Sequence, residues 1–283
     1  MRIDRSIVRP LGTMITYGFP REHLETDLAI AARLGASIVE VLPSWSALPD
    51  PVLLRRRLDA VGLALHSAHG CWGGQTIRAE RVDLADLDDS RRLSGLEDVR
   101  LCLEWLAAAG GRFLIVHPGG YSAPEDLTAR SAALGESLLV LSETAQRLGL
   151  VVCVENMPPG VHPGSSMADL AVLLEQLKAP NLALALDTGH AHIAATAPGE
   201  TLAATGLLRS THVHDNNGRQ DNHEPPGRGS LHWDGWLAAL DAIGYEGPIM
   251  LECIRKLREQ PALLDVGLLE LLAKLTRKER REI

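Results

Sequence analysis

The feature that most constrains this chain is a strand-then-helix alternation that runs nearly its whole length. Apolar, β-leaning runs stand at Leu11–Tyr17, Ser37–Leu42, Leu63–His69, Phe113–His117, Leu150–Glu155, Leu182–Asp187, Arg209–Asp215 and Pro248–Glu252. Between and after them, helical spacing marks Arg21–Leu34, Pro49–Val61, Ser90–Ala109, Pro124–Leu148, Ser166–Leu177, Trp233–Ile243 and Gln260–Arg280. Gly35, Gly62, Gly110 and Gly149 follow their helices directly, where a left-handed cap is favoured. Alternation of this kind means a parallel sheet. Eight units in this length predict an α/β fold, the (β/α)8 or TIM barrel, with a doubly wound open sheet as the competing arrangement. No linker or low-complexity run divides the 283 residues, so 1–283 reads as one barrel domain. The unpatterned stretch Gly70–Asp89 is expected to be a long loop over one face.

Strand parity then selects residues. Side chains two apart share a face. Leu182, Leu184 and Leu186 suit the helix-packed outside, which turns Ala183, Ala185 and Asp187 inwards. The same reasoning aligns Val151, Cys153 and Glu155; Phe113, Ile115 and His117; and Ser67 with His69, opposite His66. The strands thus deliver Glu40, His69, His117, Glu155, Asp187, His212 and Glu252 to the end where such barrels build active sites. A lone strand-end histidine such as His117 is more often a hydrogen-bonded structural residue, and Glu40 reads equally as a loop anchor. His66, His162, His192 and His232 have no convergent partner and read as structural or surface residues. Glu155, Asp187 and Glu252 are harder to explain that way, because carboxylates facing one another repel unless a cation neutralises them. With imidazoles beside them, a divalent ion such as zinc or manganese is the economical partner.

The densest cluster lies in Ser210–Trp233, where His212, His214, Asp215, Asp221 and His223 precede Pro225-Pro226-Gly227 and Gly229. His212 ends a strand, whereas Asp221 and His223 ride on a glycine-hinged flap. His214 shares the inward face of His212 further out and is a reserve ligand. Composition narrows the partners. The formal net charge is −8, from 28 basic and 36 acidic residues, which argues against a general nucleic-acid footprint. Cys71, Cys102, Cys153 and Cys253 lack metal-type pairing and read as reduced thiols of a cytoplasmic protein. No apolar run is long enough to span a membrane.

Val154-Glu155-Asn156, Leu186-Asp187-Thr188-Gly189-His190-Ala191-His192, His212-Val213-His214-Asp215-Asn216 and Leu251-Glu252 resemble motifs of the xylose isomerase-like TIM-barrel superfamily. The likeness runs from about the second strand to the eighth. That group holds sugar isomerases and epimerases, inosose-metabolising enzymes, dehydroshikimate dehydratases and endonuclease IV. The resemblance implies one divalent ion (manganese, magnesium, cobalt or zinc) on Glu155, Asp187, His212 and Glu252. By likeness to ketose 3-epimerases, Glu155 and Glu252 also exchange the substrate proton. Endonuclease IV holds three zinc ions, and its ligands have counterparts in His69, His117, Glu155, Asp187, His190, His212, Asp221, His223 and Glu252. Two departures separate the chain from its relatives. The loop after the third strand begins Gly70-Cys71-Trp72-Gly73-Gly74, without basic residues interleaved with aromatic ones. Gly218 stands near the place where the epimerases carry an arginine, and Arg219 is displaced.

The reading that follows is a metal-dependent isomerase or epimerase. Its substrate is a small sugar, a polyol-derived carbonyl compound or a sugar phosphate, with Glu40, Trp72 and Arg228 as substrate contacts. An endonuclease IV-like zinc phosphodiesterase for abasic-site DNA, or a dehydroshikimate-type dehydratase, is the alternative. Self-association into dimers or tetramers is expected from the resemblance.

Overall fold

The computed structural model describes residues 8–277. Eight parallel strands stand in the order β7-β6-β5-β4-β3-β2-β1-β8. They are β1 (Leu11–Tyr17), β2 (Ile38–Pro43), β3 (Ala64–His69), β4 (Phe113–Val116), β5 (Val151–Glu155), β6 (Leu182–Asp187), β7 (Leu208–His212) and β8 (Ile249–Leu251). The open edges meet where Val213 bridges Leu251 in parallel, with Val213 N–H donating to Met250 C=O at 2.7 Å. The architecture is the (β/α)8 barrel.

The helices are α1 (Leu24–Leu34), α2 (Pro51–Val61), α3 (Asp89–Ala109), α4 (Leu127–Leu148), α5 (Met167–Leu177), α6 (Thr188–Ile193), α7 (Ala197–Ala203), α8 (Trp233–Ala242), α9 (Ile254–Glu259) and α10 (Val266–Thr276). Several ends follow from capping chemistry. Asp50 accepts from Val52 and Leu53 N–H, setting Pro51 as the first residue of α2. The Glu22 carboxylate accepts from His23 and Leu24 N–H, so α1 begins later than Arg21. Among the described residues, no helix is long and apolar enough to cross a membrane.

Parity holds where the sheet is regular. Ile115, Cys153, Ala183 and Ala185 form a small buried cluster inside the barrel, with Phe113 and Val151 against it. Leu182, Leu184 and Leu186 belong to the larger core between strands and helices. The register slips at two places, between β6 and β7, where Leu184 pairs with Leu208 but Ala185 with Ser210, and between β2 and β3. Val39 pairs with Leu65 but Glu40 with Ser67, so His66 is the extra residue of a bulge. Its ring stacks on Phe113 at 4.6 Å, beside the N-terminal ends of the strands and far along β3 from His69. Burial lowers its pKa to about 4, in keeping with a structural role.

Two further differences lie in connections. Between β6 and β7, where the sequence pattern assigned no helix, α6 and α7 fill the crossover. The expected closing helix at Gln260–Arg280 begins late, as α10 after Asp265, whose carboxylate caps Leu268 N–H, and α9 is an additional helix that ends before Pro261. Its predicted end at Arg280 lies outside the described residues. The Gly70–Asp89 stretch is a loop as expected, wrapped on the Asp98 carboxylate of α3, which accepts from Ile77, Arg78 and Ala79 N–H.

Candidate metal centre

Side chains from four strands meet at His212, which is fully buried. Its Nδ1 lies 2.7 Å from Glu155 Oε1 and 3.1 Å from Glu252 Oε2, while Nε2 lies 2.8 Å from Glu40 Oε1. Glu40 is itself fixed by Ser67 Oγ at 2.5 Å. Asp187 completes the set, and ligand atoms of Glu155, Asp187, His212 and Glu252 all lie within 4.8 Å of one another. Asn156 holds Asp187 by its backbone, its Oδ1 accepting Asp187 N–H at 2.7 Å and its Nδ2 donating to Asp187 C=O at 3.1 Å.

Two more groups flank this one. His117 Nε2 and His69 Nε2 approach Glu155 Oε2 at 3.3 and 3.7 Å, so Glu155 belongs to both groups. Trp72 covers them, its ring 4.4 Å from His69 and 5.7 Å from His117. On the other side, Asp221 lies 3.4 Å from His190 Nε2, 3.0 Å from His223 Nε2 and 3.6 Å from His214 Nε2. His223 and His214 stack at 4.1 Å. His214 also reaches Asp187 Oδ2 at 3.1 Å, and a Cβ at Gly189 would overlap its ring, which is why that position in α6 is glycine. His223 has a φ of 49°, a left-handed conformation that costs a non-glycine residue energy.

The donor set fits a divalent cation on two observations. Buried Glu155 Oε2 and Glu252 Oε2 have no hydrogen-bond partner, although imidazole nitrogens stand near both: the contacts are close but not aligned as hydrogen bonds. Further, the far nitrogen is engaged in four of the rings. His69 Nδ1 meets Gly70 C=O at 3.0 Å, His190 Nδ1 meets Asn156 C=O at 2.8 Å, and His223 Nδ1 meets Glu252 C=O at 2.8 Å. Glu40 does the same for His212. A ring N–H given to a carbonyl or carboxylate leaves the other nitrogen's lone pair for a metal.

The xylose isomerase-like TIM barrel family matches residues 28–272. The chain belongs to that family. An uncharacterised protein of Methanocaldococcus jannaschii is 30% identical over 179 residues, 59% of this chain and 59% of the relative. The 3-dehydro-D-guloside 4-epimerase of Escherichia coli is 26% identical over 211 residues, 70% of this chain and 75% of that protein. A probable endonuclease 4 of Solibacter usitatus is 28% identical over 221 residues, 69% and 71% of the two chains. Among solved structures, a D-tagatose 3-epimerase-like protein matches with a TM-score of 0.75 at 20% identity, over 93% of this chain and 98% of that one, a likeness of fold.

In this xylose isomerase-like barrel, not every residue singled out from the sequence reaches the site. Glu40 is fully buried beneath His212, where it orients the imidazole and cannot meet a substrate. Arg228 pairs with Asp265 at the start of α10 and does not line the adjoining cavity. The histidines expected to be structural or surface residues lie outside the cluster: His192 meets Ser230 Oγ at 2.9 Å, His232 caps α8 through Gly235 N–H, and His162 contacts Ser165 Oγ at 3.4 Å. The role of one residue of the dense cluster was missed. Asp215 is fully buried and accepts from Asn216, Gly227 and Leu231 N–H and from Trp233 Nε1, tying down the flap that carries Asp221 and His223.

The electrostatics are those of ionised carboxylates that keep the neighbouring imidazoles protonated where a cation would sit. Burial opposes charge on His212, but Glu252, Glu155 and Glu40 outweigh it and hold the ring well above its ordinary value. Burial likewise opposes charge on Glu155, which His212 and the nearby His117 and His69 imidazoles keep well below the carboxylate range. His190 is pushed to about 10 against its burial by Asp187 and Asp221, and His223 to about 10 against its burial by Glu252 and Asp221. Without a cation, their contribution to stability is full below the unfolded value of about 6.5 and is lost as pH rises through about 10. A metal ion must displace these protons. Metal uptake is therefore expected to release protons and to tighten as pH rises from about 6 to 8. Calorimetric titrations with Mn2+ or Zn2+ in buffers of different ionisation enthalpy read the number released, and a buffer-independent heat would contradict this electrostatic picture.

Proposed function

We propose that this barrel is a divalent-cation-dependent isomerase or epimerase that moves a proton at the carbon beside the carbonyl of a small sugar or polyol-derived carbonyl compound. The observation that carries this reading is the convergence of Glu155 and Glu252 on His212, each with a buried oxygen free of hydrogen bonds. Glu155, Asp187, His212 and Glu252 would hold the cation. When bound, it polarises the substrate carbonyl and acidifies the adjacent C–H.

The chain's own groups then handle the proton. Glu252 lines the cavity and is held below its usual range against its burial by His212 and His223, so it enters the reaction as a carboxylate able to accept. Glu155, ionised for the same kind of reason, stands beside His212 as the second proton carrier, and it must take up a proton from solvent before it can deliver one. Return of the proton to the opposite face of one carbon epimerises it; return to the neighbouring carbon isomerises the sugar. Trp72 on one side and the Asp215-anchored flap on the other keep bulk water from the intervening space. The 4-epimerase relative supports the same reaction class.

The test is solvent exchange. D-Fructose, D-tagatose and related ketoses incubated with the Mn2+-loaded protein in D2O are expected to gain deuterium beside the carbonyl, with an epimer or aldose appearing. A second reading has its own observation: the two flanking groups could complete a three-ion set, as in an abasic-site phosphodiesterase, and the endonuclease 4 relative supports it. Cleavage of abasic-site DNA by protein carrying about three zinc ions per chain, with no sugar exchange, would replace the first reading by the second.

A further inference from the structure

A cavity of about 890 Å3 opens beside the metal groups, a size suited to a small molecule. Its inner end carries Asp221, His223 and Glu252. The outer end, built by the β1–α1 loop and α9, is chemically different. Arg21, Arg255, Lys256 and Arg258 line it, and among the described residues the only carboxylates on the cavity wall are Asp221 and Glu252 of the metal groups. The partners of three of those cations, Glu259, Glu224 and Asp27, lie off the wall. In a chain of net charge −8, this concentration of cations is a local arrangement.

Arg258 is the built part of it. Its Nη1 donates to Thr16 Oγ1 at 2.8 Å and to both oxygens of Asp27 at 2.9 Å. Asp27 is fully buried and also accepts from Thr16 N–H at 2.8 Å and Thr16 Oγ1 at 2.7 Å. The guanidinium is thus clamped through one nitrogen, with its side chain 15% exposed. Nε and Nη2 have no protein partner among the described residues, on a side chain that lines the cavity. A rigid guanidinium with an unused N–H edge matches the paired oxygens of a carboxylate or phosphate. Arg21, exposed at the lip and unpaired among the described residues, adds charge without a competing carboxylate.

We infer that the outer end of this cavity receives a carboxylate or phosphate carried by the substrate, with Arg258 as its anchored receptor and Arg21 as the charge at the lip. The inference rests on the proposed proton-transfer reading for which molecule is turned over, but not for whether the anion binds.

The experiment compares D-fructose, D-fructose 6-phosphate and D-fructuronate on the Mn2+-loaded protein, by deuterium exchange and by calorimetric binding, in wild type, Arg258→Met and Arg21→Ala. At least one anionic sugar is expected to exceed D-fructose in kcat/KM by about tenfold or more, and which one identifies the anion. In Arg258→Met that ratio is expected to fall by about tenfold or more, chiefly through KM, and in Arg21→Ala by a few-fold. Equal use of all three sugars, or a loss in Arg258→Met that is the same for neutral and anionic sugars, overturns the inference while leaving the proton-transfer reading intact. If no sugar exchanges, that reading fails and binding decides: Arg258-dependent affinity for an anionic sugar supports the inference, and its absence overturns it. Should Arg258→Met not fold, the exposed Arg21→Ala carries the test, and an unchanged anion preference there overturns it.

Discussion

Glu155→Gln is expected to lower solvent exchange into substrate by about a thousandfold or more, the largest single-residue effect on turnover. Glutamine keeps the size of the side chain, so packing against β4 and β6 is retained. Three losses coincide. The proton carrier disappears, because an amide does not take up a proton near neutral pH. The central cation site loses one of its carboxylates, since Glu155 groups with Asp187, His212 and Glu252. The His69–His117 group loses its only carboxylate as well. Moreover, an amide has one acceptor where the carboxylate has two, whereas Oε1 meets His212 at 2.7 Å and Oε2 faces His117 at 3.3 Å. Either orientation of the amide turns N–H hydrogens towards an imidazole or towards the cation. Weakened Mn2+ binding should accompany the loss of exchange, both read on the same preparation. Retained exchange within tenfold of wild type would remove Glu155 from the reaction and leave it as a structural carboxylate.

The barrel was legible because its signal is periodic and local. Leu182–Asp187 alternates large and small so regularly that the face of Asp187 follows from the alternation alone, and the inner cluster of Cys153, Ala183 and Ala185 agrees with it. The strand-end residues around Glu155 were found by the same rule, which works wherever pairing is regular. His66 escaped it because a bulge adds one residue to β3, and nothing in Ala64–His69 marks where a ladder slips. Glu40 shares the face that parity gave it but sits too deep to meet a substrate, since depth depends on how neighbouring strands are staggered.

The features missed altogether are weakly signalled or non-local. α6 begins Thr-Gly-His, a poor helical sequence, and is started by Asp187 accepting His190 N–H at 2.7 Å. The Asp27–Arg258 clamp joins residues 231 apart. A sequence pattern carries no trace of such a pair, because either residue alone reads as an ordinary charged position on a helix.

Asp215 extends that point to stability. Asp215→Ala is expected to cost about 3 kcal/mol or more, the largest effect on folding among single changes near the site. Its carboxylate accepts from Asn216 N–H at 2.9 Å, Gly227 N–H at 3.0 Å, and Leu231 N–H and Trp233 Nε1–H at 3.1 Å. Alanine would leave these donors without an acceptor in a region where Asn216, Leu231 and Trp233 are buried. The flap cannot escape the penalty simply by lifting into water, because Leu231 and Trp233 belong to the hydrophobic core and Trp233 packs edge-on against Trp236 at 5.6 Å. Opening would give up that burial as well. Nor is there room for a larger residue nearby, since a Cβ on Gly229 would overlap Asp215 and Asn216 C=O. Asp215→Asn separates charge from shape: an amide keeps one accepting oxygen but points a donor at donors, so it should recover less than half of the loss. Urea denaturation measures the stability change, and hydrogen exchange at Gly227 and Leu231 shows how much of it is local opening. The same loosening frees Asp221 and His223 from their positions around His190, so affinity for a cation in that group should fall with stability. Variants that unfold within about 0.5 kcal/mol of wild type, with unchanged exchange in the flap, would show that Asp215 follows the flap rather than holding it.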